Sequence, residues 1–293
     1  MADLLEDQWE IDGLVIGRGR PVAVEGYDLG EVDARTNDVK TPGGDGTVFG
    51  YDYHDGRTIT LEVFTDEVDA ATSRTAWRSL ESLWRQRTLR YTPREVLPLR
   101  TRLAGDDTVV AYGRPRKLTP TSLRGLADGV VAAVATFDTA HAGFYGDTEH
   151  LRTLTLLPDT SGGLTLPEVL PATLANIGNS NADQITNSGD VESWPVITFH
   201  GPIANPEITW VGTNTSIRLV ATVPSDRSVT IDPRPWVRSI LRSDGASLAG
   251  AKRGVRLEDL RLPPGVTEVA FRGQDATGTS SCVIRWRDGL STP

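Results

Sequence analysis

The sequence has little of what disulfides and metal centres require. Its 293 residues include one cysteine, one methionine and four histidines. The single cysteine, Cys282, can form no internal disulfide and has no companion for a cysteine-based metal site. It lies between Ser281 and Val283 in a strand-like run, where we expect it to be a small buried hydrophobic residue. The sequence therefore predicts neither a disulfide nor a thiolate metal centre.

Patterns of catalytic residues are missing as well. No two of the four histidines stand four residues apart, so a local zinc motif is absent. Neither the Gly-x-Ser-x-Gly string of a serine nucleophile nor the Gly-x-x-x-x-Gly-Lys-Ser/Thr string of a phosphate loop occurs. Acidic residues are numerous, but no pair is singled out as the acid and base of a glycosidase. We expect no catalytic residue, no cofactor and no metal.

Long apolar runs and an excess of positive charge are also lacking. The longest apolar run, residues 129–135, is far shorter than the roughly 20 residues of a helical membrane span. Acidic residues stand near the N-terminus where a secretory signal is positive, so we expect synthesis in a cytoplasm and no membrane insertion. A formal net charge of −9 disfavours sequence-independent binding of nucleic acid. The short basic cluster at residues 114–117 is interpreted as a solvated turn or a protein contact.

The first half of the chain combines strand patterns with one helix pattern. Apolar residues alternate with polar ones between residues 57 and 64, which is the period of a half-buried strand. Over residues 68–87 they recur at three- and four-residue steps, which predicts an amphipathic helix. Trp77 and Trp84 lie on its apolar stripe, and we expect them to pack in the core against the sheet. Further strands are predicted over residues 96–103, 108–112 and 130–137.

The second half reads as a separate β domain. Residues 157–190 are rich in Pro, Gly, Ser, Thr and Asn without a stable period, which favours a connection or an irregular strand. We place the domain boundary near Pro158, which gives domains at residues 1–157 and 158–293. Beyond it, short strand-like runs separated by turn residues are typical of an antiparallel sandwich or jelly roll. These runs are residues 196–199, 207–211, 216–222, 228–231, 266–272 and 282–286.

Two stretches of the second half carry a resemblance to a known family. Residues 193–206 read Ser-Trp-Pro-Val-Ile-Thr-Phe-His-Gly-Pro-Ile-Ala-Asn-Pro, a short alternating strand followed by a Gly-Pro and Asn-Pro turn. Residues 229–234, Val-Thr-Ile-Asp-Pro-Arg, are a strand ended by Asp-Pro. In this order and separation they resemble the C-terminal domain of distal tail proteins, the siphovirus phage tail family that forms the hub at the tail tip.

The first half resembles the same kind of protein. Residues 50–63, the tryptophan helix, residues 97–100 and residues 112–116 look like the N-terminal domain of minor tail proteins from phages of actinobacteria. The resemblance implies an N-terminal β domain with one packed helix that forms a ring, usually hexameric, under the tail tube. It also implies a C-terminal galectin-like β-sandwich that projects outward to hold receptor-binding or fibre proteins. An acidic chain suits a lumen through which genomic DNA passes without sticking.

We therefore expect a mainly β, non-enzymatic adaptor at the tail tip of a virion. Its partners would be further copies of itself, the tail tube protein and the tail-tip or receptor-binding proteins. The alternative is a carbohydrate-binding module, because aromatic rings on a β-sandwich can stack on sugars. Trp194 and Trp236 stand beside prolines at strand ends and are the candidate contacts for a glycan or a partner. The His-x-Asn-x-Arg sugar-contact pattern of galectins is absent, and a tail-associated hydrolase ranks last.

Overall fold

The computed structural model describes residues 3–65, 69–122, 125, 128–156, 181–213 and 215–293. The chain divides into a first unit, Met1–Asp147 with Leu290–Pro293, and a second unit, Thr148–Gly289. The domain boundary expected near Pro158 lies outside the described residues. Antiparallel strands dominate both units, so the predicted mainly β fold is confirmed. Among the described residues, no helix combines the length and the apolar character of a membrane span.

The first unit is built on one antiparallel sheet, and its described residues include two α-helices, α1 (Ala70–Trp84) and α2 (Arg87–Tyr91). Its strands in chain order are β1 (Gln8–Ile11), β2 (Leu14–Gly17), β3 (Ala23–Asp28), β4 (Ala34–Arg35), β5 (Val39–Lys40), β6 (Thr47–Val48), β7 (Tyr53–His54), β8 (Thr58–Thr65), β9 (Leu97–Arg102), β10 (Val109–Ser122), β11 (Val131–Thr139) and β12 (Phe144–Gly146). The sheet order is β2-β1-β9-β10-β11-β8-β3, with β12 beside β10. Strands β4 to β7 stand apart as a two-stranded ribbon, in which β4 pairs with β7 and β5 with β6.

The core of this sheet forms because buried and less buried residues alternate strictly along its strands. Strand β11 buries every second residue along its whole length, and β8 does the same. In their register Leu61 lies opposite Ala135 and Ile59 opposite Phe137, and all four side chains are buried. A period of two places these side chains on one face of the sheet. The strand predicted over residues 57–64 is therefore confirmed as β8.

Helix α1 packs on the sheet through one apolar stripe. Asp69 caps its N-terminus, because its carboxylate accepts hydrogen bonds from the N–H groups of Ala71 (3.2 Å) and Thr72 (3.1 Å). The indole Nε1–H of Trp84 donates to the carbonyl of Thr136 at 3.2 Å. The core role predicted for both tryptophans is confirmed. The buried apolar side chains of the helix are Trp77, Leu80, Leu83 and Trp84.

The basic cluster at residues 114–117 does not form a turn, so the turn interpretation was wrong, and the alternative of a protein contact stays a prediction. Strand β10 runs through it, and its register with β11 shifts between Pro115 and Leu118. A proline without an N–H is tolerated at such a bulge, so the strand continues past it. The cluster is also held by neighbours, since Arg114 donates to the carbonyl of Thr92 (2.7 Å) and Arg116 pairs with Asp138 (2.9 Å).

The second unit is a sandwich of two antiparallel sheets, ordered β13-β23-β15-β19-β20 and β14-β22-β16-β17-β21, with β18 beside β16. Its strands are β13 (His150–Thr155), β14 (Ala182–Asn187), β15 (Val196–His200), β16 (Ile203–Trp210), β17 (Thr215–Leu219), β18 (Thr222–Val223), β19 (Ser228–Asp232), β20 (Ser239–Arg242), β21 (Lys252–Gly254), β22 (Gly265–Gln274) and β23 (Ser281–Trp286). Two short 3-10 helices are Ala249–Ala251 and Leu257–Asp259, and a last strand is β24 (Gly289–Leu290). The antiparallel sandwich predicted from strand spacing is confirmed.

Both sheets of the sandwich contribute to one hydrophobic core. Phe199 of β15 stacks on Phe271 of β22, with 5.7 Å between the ring centroids. Cys282 lies in this core with no exposed surface, so its predicted role as a small buried hydrophobic residue is confirmed. Strand β13 also belongs here, because Leu154 pairs with Cys282. Sequence reasoning assigned β13 to the first domain.

The predicted Gly-Pro and Asn-Pro turn is a turn only in its first half. The Gly201–Pro202 bond, which is cis, connects β15 to β16. Asn205 and Pro206 lie inside β16, where the register with β22 shifts. Asn205 has a φ of 52°, which asparagine tolerates better than most residues, and Pro206 sits at the bulge. The second proline therefore marks a bulge and not a turn.

Replacing Trp77, a buried residue of α1, tests the packing of the helix. We expect Trp77→Ala to lower the free energy of unfolding by about 3–5 kcal/mol, because the lost ring leaves a cavity under the helix. The exposed neighbour Arg78 provides a control, since Arg78→Ala should change stability by less than about 0.5 kcal/mol. Urea unfolding followed by circular dichroism measures both. Equal losses in the two variants would contradict the packing described.

Candidate interaction surfaces

The two tryptophans proposed as glycan or partner contacts are both buried. Trp194 is 9% exposed and Trp236 is 8% exposed. The guanidinium carbon of Arg261 lies 6.0 Å from the ring centroid of Trp194, and that of Arg234 lies 5.8 Å from the ring centroid of Trp236. Sugar stacking needs an open ring face, and these rings have little of it left. Contact of either tryptophan with a glycan or a partner stays a prediction.

Asp232 ends strand β19 as the sequence predicted. Its Oδ1 accepts a hydrogen bond from the backbone N–H of Arg234 at 3.1 Å, which forms a turn around Pro233. The guanidinium of Arg234 also donates to both carboxylate oxygens, at 2.9 Å and 2.6 Å. This two-point pairing orients the guanidinium that lies over Trp236. The role of Asp232 seen here is to form the turn.

In the described part of the chain, no three His, Cys, Asp or Glu side chains lie close enough together to hold a metal ion. His150 stacks on Trp286 with 5.4 Å between ring centroids, and its Nε2 lies 3.1 Å from Oδ2 of Asp288. Both partners belong to the second unit, close to the end of strand β23. The imidazole is thus occupied by a ring contact and a carboxylate.

A buried ion triad lies in the first unit. Arg100 is 3% exposed and donates to the Asp147 carboxylate at 2.8 Å and 2.6 Å, and it also pairs with Glu10. The hydrogen bond to Asp147 is the largest of the effects that raise the pKa of Arg100. Glu10 and Arg100 lie opposite each other on β1 and β9, so the triad joins neighbouring strands to the segment after β12. Sequence reasoning missed it, because the partners are far apart along the chain.

The buried carboxylate of Asp275 closes the loop between β22 and β23. Asp275 accepts hydrogen bonds from the N–H of Thr277 (2.8 Å), the hydroxyl of Thr277 (2.6 Å) and the N–H of Ser280 (2.8 Å). Burial opposes its ionisation, but these hydrogen bonds outweigh burial and hold the pKa of Asp275 below its usual range. The sequence Asp-Ala-Thr-Gly-Thr-Ser was a signal for such a loop, because Asp and Thr side chains bond to nearby backbone.

Residues 33–56 of the first unit form a two-stranded arm that is exposed throughout. Within this arm Arg35 lies opposite Tyr53 and Val39 opposite Val48, and no residue is buried or half-buried. Phe49 is 83% exposed and Tyr51 82% exposed. A two-stranded ribbon without a buried face is marginally stable on its own. Its open aromatic side chains therefore mark a surface that suits a partner.

The outward side of the two helices, together with the turn that follows α2, carries a second surface, which we call the arginine face. Its six arginines are all exposed, and the acidic residues between positions 69 and 95 number three. A groove of about 430 Å³ runs beside this face between α1 and β2, with Leu14, Val15, Val22 and Ala76 among its lining residues. The arginines are Arg74, Arg78, Arg85, Arg87, Arg90 and Arg94.

The same fold occurs in solved phage structures. The SPP1 Dit protein matches with a TM-score of 0.57 at 13% identity, over 95% of this chain and 97% of that chain. The chain has the fold of a phage distal tail protein. Two structures of the phage P2 baseplate in its activated conformation, with Ca and with Sr, match with TM-scores of 0.52 and 0.53 at 12% identity and the same coverage.

The likeness to distal tail proteins extends through both units of the chain and confirms, at the level of fold, the resemblance predicted from the sequence. No family model matches the sequence, and no curated protein matches it. At identities of 12–13%, the agreement lies in the arrangement of strands and helix and not in shared side chains.

Asp275 gives a pH-dependent test of the β22–β23 loop. We expect Asp275→Ala to destabilise the second unit by about 1–3 kcal/mol at pH 7, because the N–H groups of Thr277 and Ser280 lose their acceptor. The folded pKa lies below the unfolded one, so the wild-type advantage is present above about pH 4 and shrinks as the pH falls further. Urea unfolding at pH 7 and pH 3 measures the difference. A difference in unfolding free energy between wild type and Asp275→Ala that is larger at pH 3 than at pH 7 would contradict the hydrogen bonds assigned to the Asp275 carboxylate.

Cys282 gives a test of the sandwich core. Burial raises the pKa of its thiol, and the residue has no exposed surface. We expect no reaction with Ellman's reagent in the folded protein at pH 8, and one thiol per chain after unfolding in guanidinium. Phe49→Cys, which places a second thiol on the arm, should add one rapidly reacting thiol and serves as the control. Rapid labelling of the unmodified folded chain would contradict the burial.

Proposed function

We propose that this chain is a structural protein of a phage tail tip, a distal tail or minor tail protein that joins the tail tube to the adsorption apparatus. The observation that carries the proposal is the agreement of fold along 95% of the chain with the SPP1 Dit protein. That protein is described as a paradigm of the hub adsorption apparatus in phages that infect Gram-positive bacteria. The agreement with phage P2 baseplate structures supports the same role. Its place would be the tail tip of the virion.

In this proposal the first unit forms a ring with further copies of itself, six by the family resemblance. Two features support self-assembly. Strands β2 and β3 are the ends of the sheet path, and their outer edges pair with no other strand among the described residues. Natural proteins cover or pair such edges. The exposed arm offers apolar side chains that no described residue of its own chain covers. Contacts between different patches of identical subunits close into rings when the rotation permits.

The tail tube protein would stack on the ring, and genomic DNA would pass through its lumen without specific binding. The net charge of −9 supports this passage, because like charges avoid lasting contact with phosphates. The second unit would hold tail-tip or receptor-binding proteins, and Trp194 or Trp236 would contribute to that contact. The role is non-enzymatic, in keeping with carboxylates such as Asp147, Asp232 and Asp275 that are occupied by hydrogen bonds within the fold.

The mass of the purified chain in solution tests the ring. We expect light scattering to give a discrete multiple of the 31.7 kDa monomer, with six the preferred number, that persists across concentration. A ladder of masses that grows with concentration would indicate open association, and a monomer at every concentration and salt would contradict the ring. Binding of cell-wall glycan by the monomer, lost in Trp194→Ala, would instead favour the carbohydrate-binding alternative.

A further inference from the structure

We propose that the arm of one copy docks on the arginine face and adjoining groove of a second copy, in a head-to-tail contact. The inference rests on the proposed self-assembly and names the two surfaces that would form the contact. The arm and the arginine face are both in the first unit, so one unit supplies both halves of the contact. Three features of the first unit support the contact: the exposure of the arm, the opposite charges of the two surfaces and the shape of the groove.

The arm needs an outside partner. Every residue from 33 to 56 is exposed, including Val39, Val48, Phe49 and Tyr51. If the arm lay on the groove of its own chain, some of these side chains would be buried there, and none is. Covering them would remove apolar surface from water and add the buried face that a two-stranded ribbon lacks. A second molecule is therefore the source of the missing cover.

The two surfaces carry opposite charge. Residues 33–56 contain five carboxylates and two cationic side chains, whereas the arginine face contributes six arginines against three acidic residues between positions 69 and 95. Complementary charge steers partners together and selects their orientation. An arginine already lies over a tyrosine ring on each surface. The guanidinium carbon lies 5.7 Å from the ring centroid for Arg35 and Tyr53, and 5.4 Å for Arg87 and Tyr91. The same pairing across copies would use Phe49 and Tyr51 of the arm.

The groove beside the arginine face suits an aromatic side chain. It has a volume of about 430 Å³, and Leu14, Val15 and Ala76 give it an apolar lining. Its lining also includes Asp69, the cap of α1, and none of the six arginines. A second hollow of about 510 Å³ shares Leu14, Thr75 and Ser79 with it, and its lining includes Asp12 and Arg78. An aromatic ring of the arm would enter the apolar part, and arm carboxylates would lie beside the arginine.

The occupant we name is a second copy of this chain. An arm and a groove are different patches, so a bound pair leaves a free groove on one copy and a free arm on the other. Such a contact repeats and closes as a ring when the rotation between copies permits. The opposite charges of the two patches favour this pairing over arm to arm or helix to helix, in which like charges would meet.

Cross-linking between two single variants tests the contact directly. Cys282 is buried, so an introduced cysteine is the reactive thiol of each variant. Phe49→Cys and Ser79→Cys, both at exposed positions, are mixed and treated with a short bismaleimide. We expect a dimer containing one chain of each variant, at least tenfold more abundant than in the matched mixture of Phe49→Cys with Asp106→Cys. Asp106 is exposed on the turn between β9 and β10 and does not line the groove or the second hollow.

The outcomes separate this contact from ring formation. A discrete multimer by light scattering without the 49–79 link would overturn the arm contact and leave the ring intact. The link without a discrete multimer would support the contact and count against a closed ring. Neither result would overturn both the arm contact and the ring. An equal cross-linking yield with the Asp106→Cys control would show that the 49–79 link is non-specific and would overturn the arm contact. A link that forms only when tail tube protein is added would assign the arm to that partner instead.

Charge reversal provides the second measurement. We expect Arg74→Glu with Arg78→Glu to lower the 49–79 cross-linking yield about tenfold at low salt, and 1 M salt to lower the wild-type yield in the same direction. Reversing the arm through Asp45→Lys with Asp52→Lys should restore the yield when the two reversed chains are mixed. All four side chains are exposed, so circular dichroism should show unchanged folding. An unchanged yield in every reversed pair would overturn the electrostatic part of the contact.

Discussion

The packing of helix α1 on its sheet is the contact on which the first unit depends. Trp77 and Trp84 bury their rings with the alternate residues of β8 and β11, and Asp69 caps the point where the helix begins. Because the apolar stripe takes one side of the helix, its arginines occupy the other. The same amphipathic pattern thus creates both the core and the charged outer surface. Loss of the packing would remove the arginine face together with the core.

The second unit buries the apolar faces of its sheets without a long helix. Two antiparallel sheets bury alternate residues against each other, and the special residues sit where the regular ladder cannot continue. Asp232 ends a strand, Pro206 occupies a bulge, and Asp275 closes a loop by accepting three hydrogen bonds. These positions determine where the strands end and bend. The carboxylates of Asp232 and Asp275 make hydrogen bonds within the unit for this reason.

Much of this fold could be predicted from the sequence, because periodicity is a local signal. The alternation of β8 and the three- and four-residue steps of α1 depend only on neighbouring positions. The pairing of β13 with β23 and the Arg100 triad depend on residues far apart in the chain, so no local pattern reveals them. The exposure of the arm depends on what lies around its strands, so no local pattern predicts it. Proline was read as a turn signal at Pro115 and Pro206, where a bulge accommodates it.

The burial of Cys282 bears on how the chain would tolerate a change of redox environment. An assembly with many copies of one chain multiplies any exposed thiol, and oxidation outside the cell would then link copies at random. Here the one thiol of the sequence lies between two sheets and is held in its protonated, unreactive form. A change from reducing to oxidising surroundings would therefore leave this thiol unreacted in the folded chain.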